Sequence, residues 1–142
     1  MTLYRTLDAV MPAFRHIFTQ FDLTEQQWRV LRVLWEAKQQ PLLKLAQTTL
    51  IPSPSLVGVV DRLAQRGLVQ RVRSDKDRRV VNICLTSKGK ALEKRVHPAI
   101  SEVYANLEAN LTDTQWRTLY ALLDKLVSQQ QTTYAGEPNG HN

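Results

Sequence analysis

The stretch "SPSLVGVVDRLAQRGLVQRVRSDKDRRVVNICLT", Ser53 to Thr86, changes from a helical to a strand pattern across a single glycine. In its first half Leu56, Val59, Val60 and Leu63 recur at steps of three and four, the stripe of a helix buried along one side. Ser53 is placed to cap that helix, Pro54 suits its first position, and Gly67 suits the turn that ends it. In the second half, positions 71–79 hold four arginines, one lysine and two aspartates. The flanking runs "LVQRVR" and "RVVNICLT" alternate or are β-branched around the polar "SDKD", which predicts a two-stranded hairpin with a strongly basic tip.

The rest of the chain places this unit. Leu3, Leu7, Val10, Phe14, Phe18 and Phe21 predict an amphipathic helix over residues 2–21, kinked or broken at Pro12. In "LTEQQWRVLRVLWEAK", Thr24 with Gln27 three residues on forms a capping-box pattern ahead of Trp28, Leu31 and Leu34. "PLLKLAQTTL" reads as a helix of two turns. Thr86 can cap a long helix reaching about 109, bent near Pro98, and Thr112 with Gln115 caps a last one carrying Trp116, Leu119, Leu122, Leu123 and Leu126. Residues 132–142 read as a flexible tail. The predicted fold is mainly α with a small β-hairpin: a winged helix-turn-helix over residues 24–86, flanked by end helices at 2–21 and 87–131, all in one 142-residue domain. The two apolar end helices must pack together or against another chain.

Charge narrows the function. The net charge is +6, yet residues 61–95 alone carry 11 Lys/Arg against 4 Asp/Glu. A quarter of the chain supplies the whole excess, which is the footprint of a surface for a polyanion. With the apolar stripe turned inward, the helix starting at Ser53 presents Ser53, Ser55, Val57, Gly58 and Arg62 outward. Small residues let a helix approach base edges, and serine hydroxyls and first-turn N–H groups bond phosphates. Arg62 is in reach of a base or a phosphate, and the sequence leaves both open. On the hairpin, Arg73, Lys76, Arg78 and Arg79 are candidates for phosphates and the minor groove. Asp75 and Asp77 would repel DNA, so their expected role is to orient neighbouring arginines or shape the tip. The expected partner is double-stranded DNA; RNA or an acidic protein partner is the alternative.

Other classes fare poorly. His16, His97 and His141 are scattered, no His/Cys cluster has metal spacing, and no Gly-rich loop follows a strand, so neither an enzyme nor a metal or other cofactor is expected. The single Cys84 allows no internal disulfide and reads as a quiet strand residue. No apolar run reaches the ~18 residues of a membrane span, and the N-terminus lacks a signal-peptide pattern, so a cytoplasmic protein without membrane contact is expected.

The segments "LTEQQWRVLRVL", "SLVGVVDRLAQRGLVQR" and "DKDRRVVNICLTSKGKAL" resemble the MarR family of bacterial transcription regulators, over about residues 5–130. Asp77, Arg79, Leu85, Thr86 and Gly89 fall on the family's wing pattern. "FRHIF" with "LTEQQWRVLRVL" is especially similar to its regulators of homoprotocatechuate (aromatic acid) degradation. The resemblance implies a homodimer built on the first and last helices and a repressor with a pseudo-palindromic operator. It also implies that Arg79 enters the minor groove while Ser53 to Arg62 read the major groove. Many members brace the wing arginine with an aspartate near the start of the reading helix. Here that place is Pro52 or Ser53, so the brace is absent or comes from Asp61 or Asp77. The resemblance further implies release by a small aromatic carboxylate. For such an effector Arg15 would pair with the carboxylate, His16 would bond a ring hydroxyl, and Trp28 and Arg32 on the second helix would complete the pocket.

Overall fold

The computed structural model describes residues 1–134. Its elements run α1 (Thr2–Gln20), α2 (Glu25–Ala37), β1 (Gln39–Pro41), α3 (Leu42–Thr49), α4 (Ser53–Gln65), β2 (Val69–Arg73), β3 (Val81–Leu85), α5 (Ser87–Glu108) and α6 (Asp113–Tyr134). By contacts the chain divides into two compact units, one ending at Ser101 and the next beginning at Glu102.

In the first unit the core is made where the apolar stripes of α2, α3 and α4 meet the sheet. Val30, Leu31, Leu34, Leu45, Leu56, Val59, Val60, Leu63 and Ile83 are fully buried there. The stripe read from the sequence of α4 is therefore its inner face. α2 starts with the expected capping box: Thr24 Oγ1 accepts from the Gln27 N–H at 3.1 Å, and Gln27 Oε1 accepts from the Thr24 N–H at 3.0 Å. α4 ends as Gly67 permits. At φ +71° its N–H donates to the Ala64 carbonyl (2.8 Å), and the Leu68 N–H donates to Leu63 (3.0 Å), closing a Schellman motif that sends the chain into β2.

The sheet has three antiparallel strands in the order β1-β3-β2. The hairpin pairs Val69 with Leu85 and Arg73 with Val81, while β1 pairs Gln39 with Cys84 and Pro41 with Asn82. The wing is thus a hairpin with an added edge strand, where the sequence had predicted two strands only. β1 is three residues of Gln-Gln-Pro, held by backbone pairing and by the turn at Lys38 (φ 65°), whose carbonyl accepts from the Leu85 N–H at 3.2 Å.

Thr86 starts α5 as expected, accepting from the Gly89 N–H (3.1 Å) while its hydroxyl donates to the Gly67 carbonyl (2.6 Å). Gly89 lies so close to the sheet that a methyl group there would strike the Leu68 carbonyl oxygen, and its own carbonyl accepts from Trp35 Nε1 at 3.1 Å. Pro12 does not break α1, and Pro98 does not interrupt α5. Each lacks the backbone bond that its missing N–H would have made.

In the second unit Thr112 and Gln115 form the predicted reciprocal cap of α6 (2.9 and 3.3 Å), and Trp116 Nε1 donates to the Glu108 carbonyl. α6 runs to Tyr134, so Thr132, Thr133 and Tyr134 of the supposed tail are helical; the remainder of that tail, with His141, lies outside the described residues. Leu119, Leu122, Leu123, Leu126 and Val127 on α6 are exposed, as are Leu3, Tyr4 and Leu7 on α1. No described helix is long and apolar enough to cross a membrane.

Candidate nucleic-acid interface

Two adjacent elements carry the outward polar groups: the start of α4 and the tip of the hairpin. α4 begins one residue earlier than Ser53 as a cap would allow. Pro52, extended at φ −54° and ψ 139°, holds the cap position, and its carbonyl accepts the first helical N–H, from Leu56, at 2.9 Å. Ser53 is thus the first helical residue, and the helix start uses no side-chain cap. The consequence favours a surface role. Ser53, Pro54, Ser55, Val57 and Arg62 are exposed and Gly58 half-buried, with the first-turn N–H groups of Ser53 and Ser55 ahead of the first intrahelical bond. A Cβ at Gly58 would meet nothing nearer than the far end of Arg62, at 3.6 Å, so the fold itself does not require glycine there.

The tip, residues 74–80, is closed by its own polar groups. Ser74 N–H donates to the Val80 carbonyl and Val80 N–H to the Asp77 carbonyl, both at 2.9 Å, while Ser74 Oγ accepts from the Lys76 and Asp77 N–H groups. Asp77 then does both jobs expected of a tip aspartate. Its Oδ1 accepts from the Arg79 backbone N–H (3.0 Å) and from Arg79 Nε (3.2 Å), and its Oδ2 accepts from Nη2 (3.3 Å). The guanidinium of Arg79 is gripped along one edge, yet the side chain as a whole remains 91% exposed. The bond from the Arg79 side chain, and then that from its backbone, hold the Asp77 carboxyl below the usual carboxylate range. Arg73, Lys76 and Arg78 are exposed around it.

The other aspartate in question, Asp61, takes a different arginine. Arg71 Nη1 lies 2.6 Å from Asp61 Oδ1, tying β2 to the middle of α4 and cancelling the one acidic charge on the outer face of that helix. The brace of the wing arginine is therefore Asp77, and Asp61 braces the wing as a whole.

A helix of small outward residues with a hairpin of outward arginines beside it is a groove-reading geometry. The profile of the MarR family matches residues 23–81. The homoprotocatechuate degradative operon repressor of Escherichia coli is 36% identical over 128 residues, 90% of this chain and 86% of its own length. The chain belongs to the MarR family. NadR in complex with 4-hydroxyphenylacetate superimposes with a TM-score of 0.81 at 34% identity, covering 89% of both chains. A variant of MarR from E. coli complexed with operator DNA gives 0.74 at 26% identity, covering 89% of this chain and 94% of that one. The present chain is a DNA-binding transcriptional regulator of this family.

The four residues expected to hold an effector are placed less uniformly. Arg15, His16 and Arg32 are exposed. Trp28 is buried, its ring 5.3 Å from Phe18 and 5.4 Å from Trp35, so within a single protomer it belongs to the aromatic core. Arg32 follows Trp28 by one turn of α2 and shares its side of the helix. A groove of about 530 Å³ lies elsewhere, with Thr19, Asp22, Gln27, Arg62 and Arg66 among its walls and none of those four. Cys84 is half-buried, and its Sγ lies 3.5 Å from Gln39 Oε1.

Asp77 gives a titration to measure. Its folded pKa is lowered, so the grip on Arg79 is complete above the ordinary aspartate range and is lost as pH falls through the lowered value. Followed by NMR at the carboxyl carbon, Asp77 should titrate below the ordinary aspartate value and move up towards it in Arg79→Ala, which removes the side-chain bond and keeps the backbone one. A wild-type midpoint at the ordinary value would contradict the pairing.

Proposed function

We propose that the chain is a homodimeric repressor on a pseudo-palindromic operator, released by a small phenolic or aromatic carboxylate. Each protomer places the first turns of α4 in a major groove, with Ser53, Ser55, Val57, Gly58 and Arg62 towards base edges and phosphates. Its wing lies against the flanking minor groove through Arg73, Lys76, Arg78 and Arg79. The observation that carries this reading is the tip itself: Asp77 holds Arg79 at its edge and leaves the guanidinium facing solvent. An arginine prepared in that way loses little side-chain freedom on entering a narrow, electronegative groove.

The exposed leucines of α6 and the exposed Leu3, Tyr4 and Leu7 of α1 support the dimer, because apolar helix faces of this extent are covered in stable proteins. Two-fold symmetry of the protein then calls for two-fold symmetry in the operator. The effector reading rests on relatives: one represses a homoprotocatechuate operon and another was solved with 4-hydroxyphenylacetate. Arg15 would take the carboxylate, with His16, Arg32 and the edge of Trp28 around the ring. Release requires the effector to bind the DNA-free arrangement more tightly than the bound one, since equal affinity for both shifts nothing.

The test of groove reading uses the duplex that the wild-type protein selects from a randomised library. Gly58→Leu should keep or raise thermal stability, because leucine is the better helix former, by up to about 0.8 kcal/mol. It should nonetheless weaken binding by about 1–3 kcal/mol, as the added bulk holds the helix away from the bases. Unchanged affinity would sink the placement of α4. A weak salt dependence with no sequence preference would favour RNA or an acidic protein partner. For the effector, 4-hydroxyphenylacetate titrated by calorimetry should bind wild type and lose most of its affinity in Arg15→Ala; equal affinities would remove Arg15 from the site.

A further inference from the structure

The far end of α4 is tied to the scaffold through one residue that no DNA-contact reading uses. Arg66, at the C-cap, turns its side chain back to the corner between α1 and α2. Its Nη1 donates to the Asp22 carbonyl at 2.5 Å and to Gln27 Oε1 at 3.4 Å, and its Nη2 donates to the Phe21 carbonyl at 3.4 Å. The Asp22 carboxylate lies 3.8 Å away. The two carbonyls belong to the end of α1, where the last C=O groups lack helical partners and Asp22 turns at φ 53°. Gln27 Oε1 is the oxygen that also closes the capping box of α2.

The same corner is held from α5. Lys88 Nζ donates to the Arg66 carbonyl at 2.8 Å, Thr86 Oγ1 bonds the Gly67 carbonyl, and the Arg95 guanidinium sits 5.7 Å from the centre of the Phe21 ring. Arg66 therefore joins the end of the reading helix to α1, α2 and α5 at once. A planar fork with five donors can serve three acceptors on different segments, whereas a lysine ammonium would have to choose among them.

We infer that Arg66 is a positioning residue for operator reading. It fixes the pitch of α4 against α1 and so sets the separation of the two reading heads, an inference that rests on the proposed dimeric mode of binding. Leverage makes the effect large. α4 is 13 residues long, so its reading end lies roughly 20 Å from the clasp, and a tilt of roughly 10° displaces Ser53 by about 3 Å. That is about the rise of one base pair, and each added pair also rotates a half-site by about 35°. Arg66 itself makes no phosphate contact, because its guanidinium is engaged with the corner at the end of α4 away from Ser53.

The experiment uses the full chain and the duplex that wild type selects, together with versions whose half-sites are one base pair closer or further apart. Arg66→Ala and Arg66→Lys are compared with wild type for melting temperature, affinity on the three duplexes and the slope of affinity against salt. Loss of the clasp should weaken binding to the selected duplex by roughly tenfold and flatten the preference among the three spacings. The salt slope should stay unchanged, and lysine should not restore the spacing preference. If Arg66→Ala does not fold, Arg66→Lys carries the same comparison. Retained affinity and spacing preference in the folded variant would overturn the inference, as would a slope reduced by about one with spacing preference intact, the mark of a lost phosphate contact. A wild-type chain that selects no duplex would overturn the DNA reading, and this inference with it.

Discussion

Mutual repulsion among Arg73, Lys76, Arg78 and Arg79 works against any ordered tip, and the rest of the wing is arranged to overcome it. β3 is paired on both edges, with Ile83 fully buried beneath it. Ser74 and Asp77 accept from the N–H groups of Lys76, Asp77 and Arg79, and Asp77 places a negative charge against the Arg79 side chain. At the root, the Thr86 hydroxyl bonds Gly67 and caps α5, so hairpin, reading helix and long helix share one anchor. Without that anchor the tip charges would spread into solvent and lose their orientation.

The same economy governs α4. Its inner stripe fixes rotation about the helix axis, Gly67 fixes where it ends, and Arg71–Asp61 and Arg66 fix its direction from two sides. What faces outward in its first turns is left chemically simple: Ser53, Pro54, Ser55, Val57 and Gly58, with Arg62 one turn further on. Asp61 and Asp77 are paired with arginines of the chain itself, which lessens a repulsion that DNA phosphates would otherwise meet. Salt bridges of this exposure contribute little to stability. Their effect is to hold cations in position, and that suits a surface for a rigid polyanion.

Where the structural signal is local, the sequence discloses it. Both capping boxes, Thr24 with Gln27 and Thr112 with Gln115, stand in the pattern because donor and acceptor are three residues apart. Gly67 and the stripe of α4 are legible for the same reason, and so is the charged hairpin. β1 is not, since Gln39–Pro41 has no side-chain pattern and exists only through backbone pairing with β3. Ser53 is displaced from the cap because Pro52 already supplies the extended geometry and the first carbonyl. The partners of Arg71 and Arg66 depend on packing across ten and more than forty residues, which no short-range pattern encodes. The residues expected to hold an effector show the limit most clearly: Arg15 and His16 are neighbours in sequence and exposed on α1, while Trp28 is absorbed into the core beside Phe18.

In the proposed mode of binding the wing carries a pre-positioned arginine to the minor groove beside a helix-read major groove. Hydroxyl-radical footprinting of the selected duplex, with wild type and Arg79→Ala at matched occupancy, tests it most directly. Wild type should protect the backbone of two symmetric half-sites and the minor groove flanking each, and Arg79→Ala should lose only the flanking protection. Identical footprints for the two proteins would contradict the account, because Arg79 would then be no more than part of a charged turn.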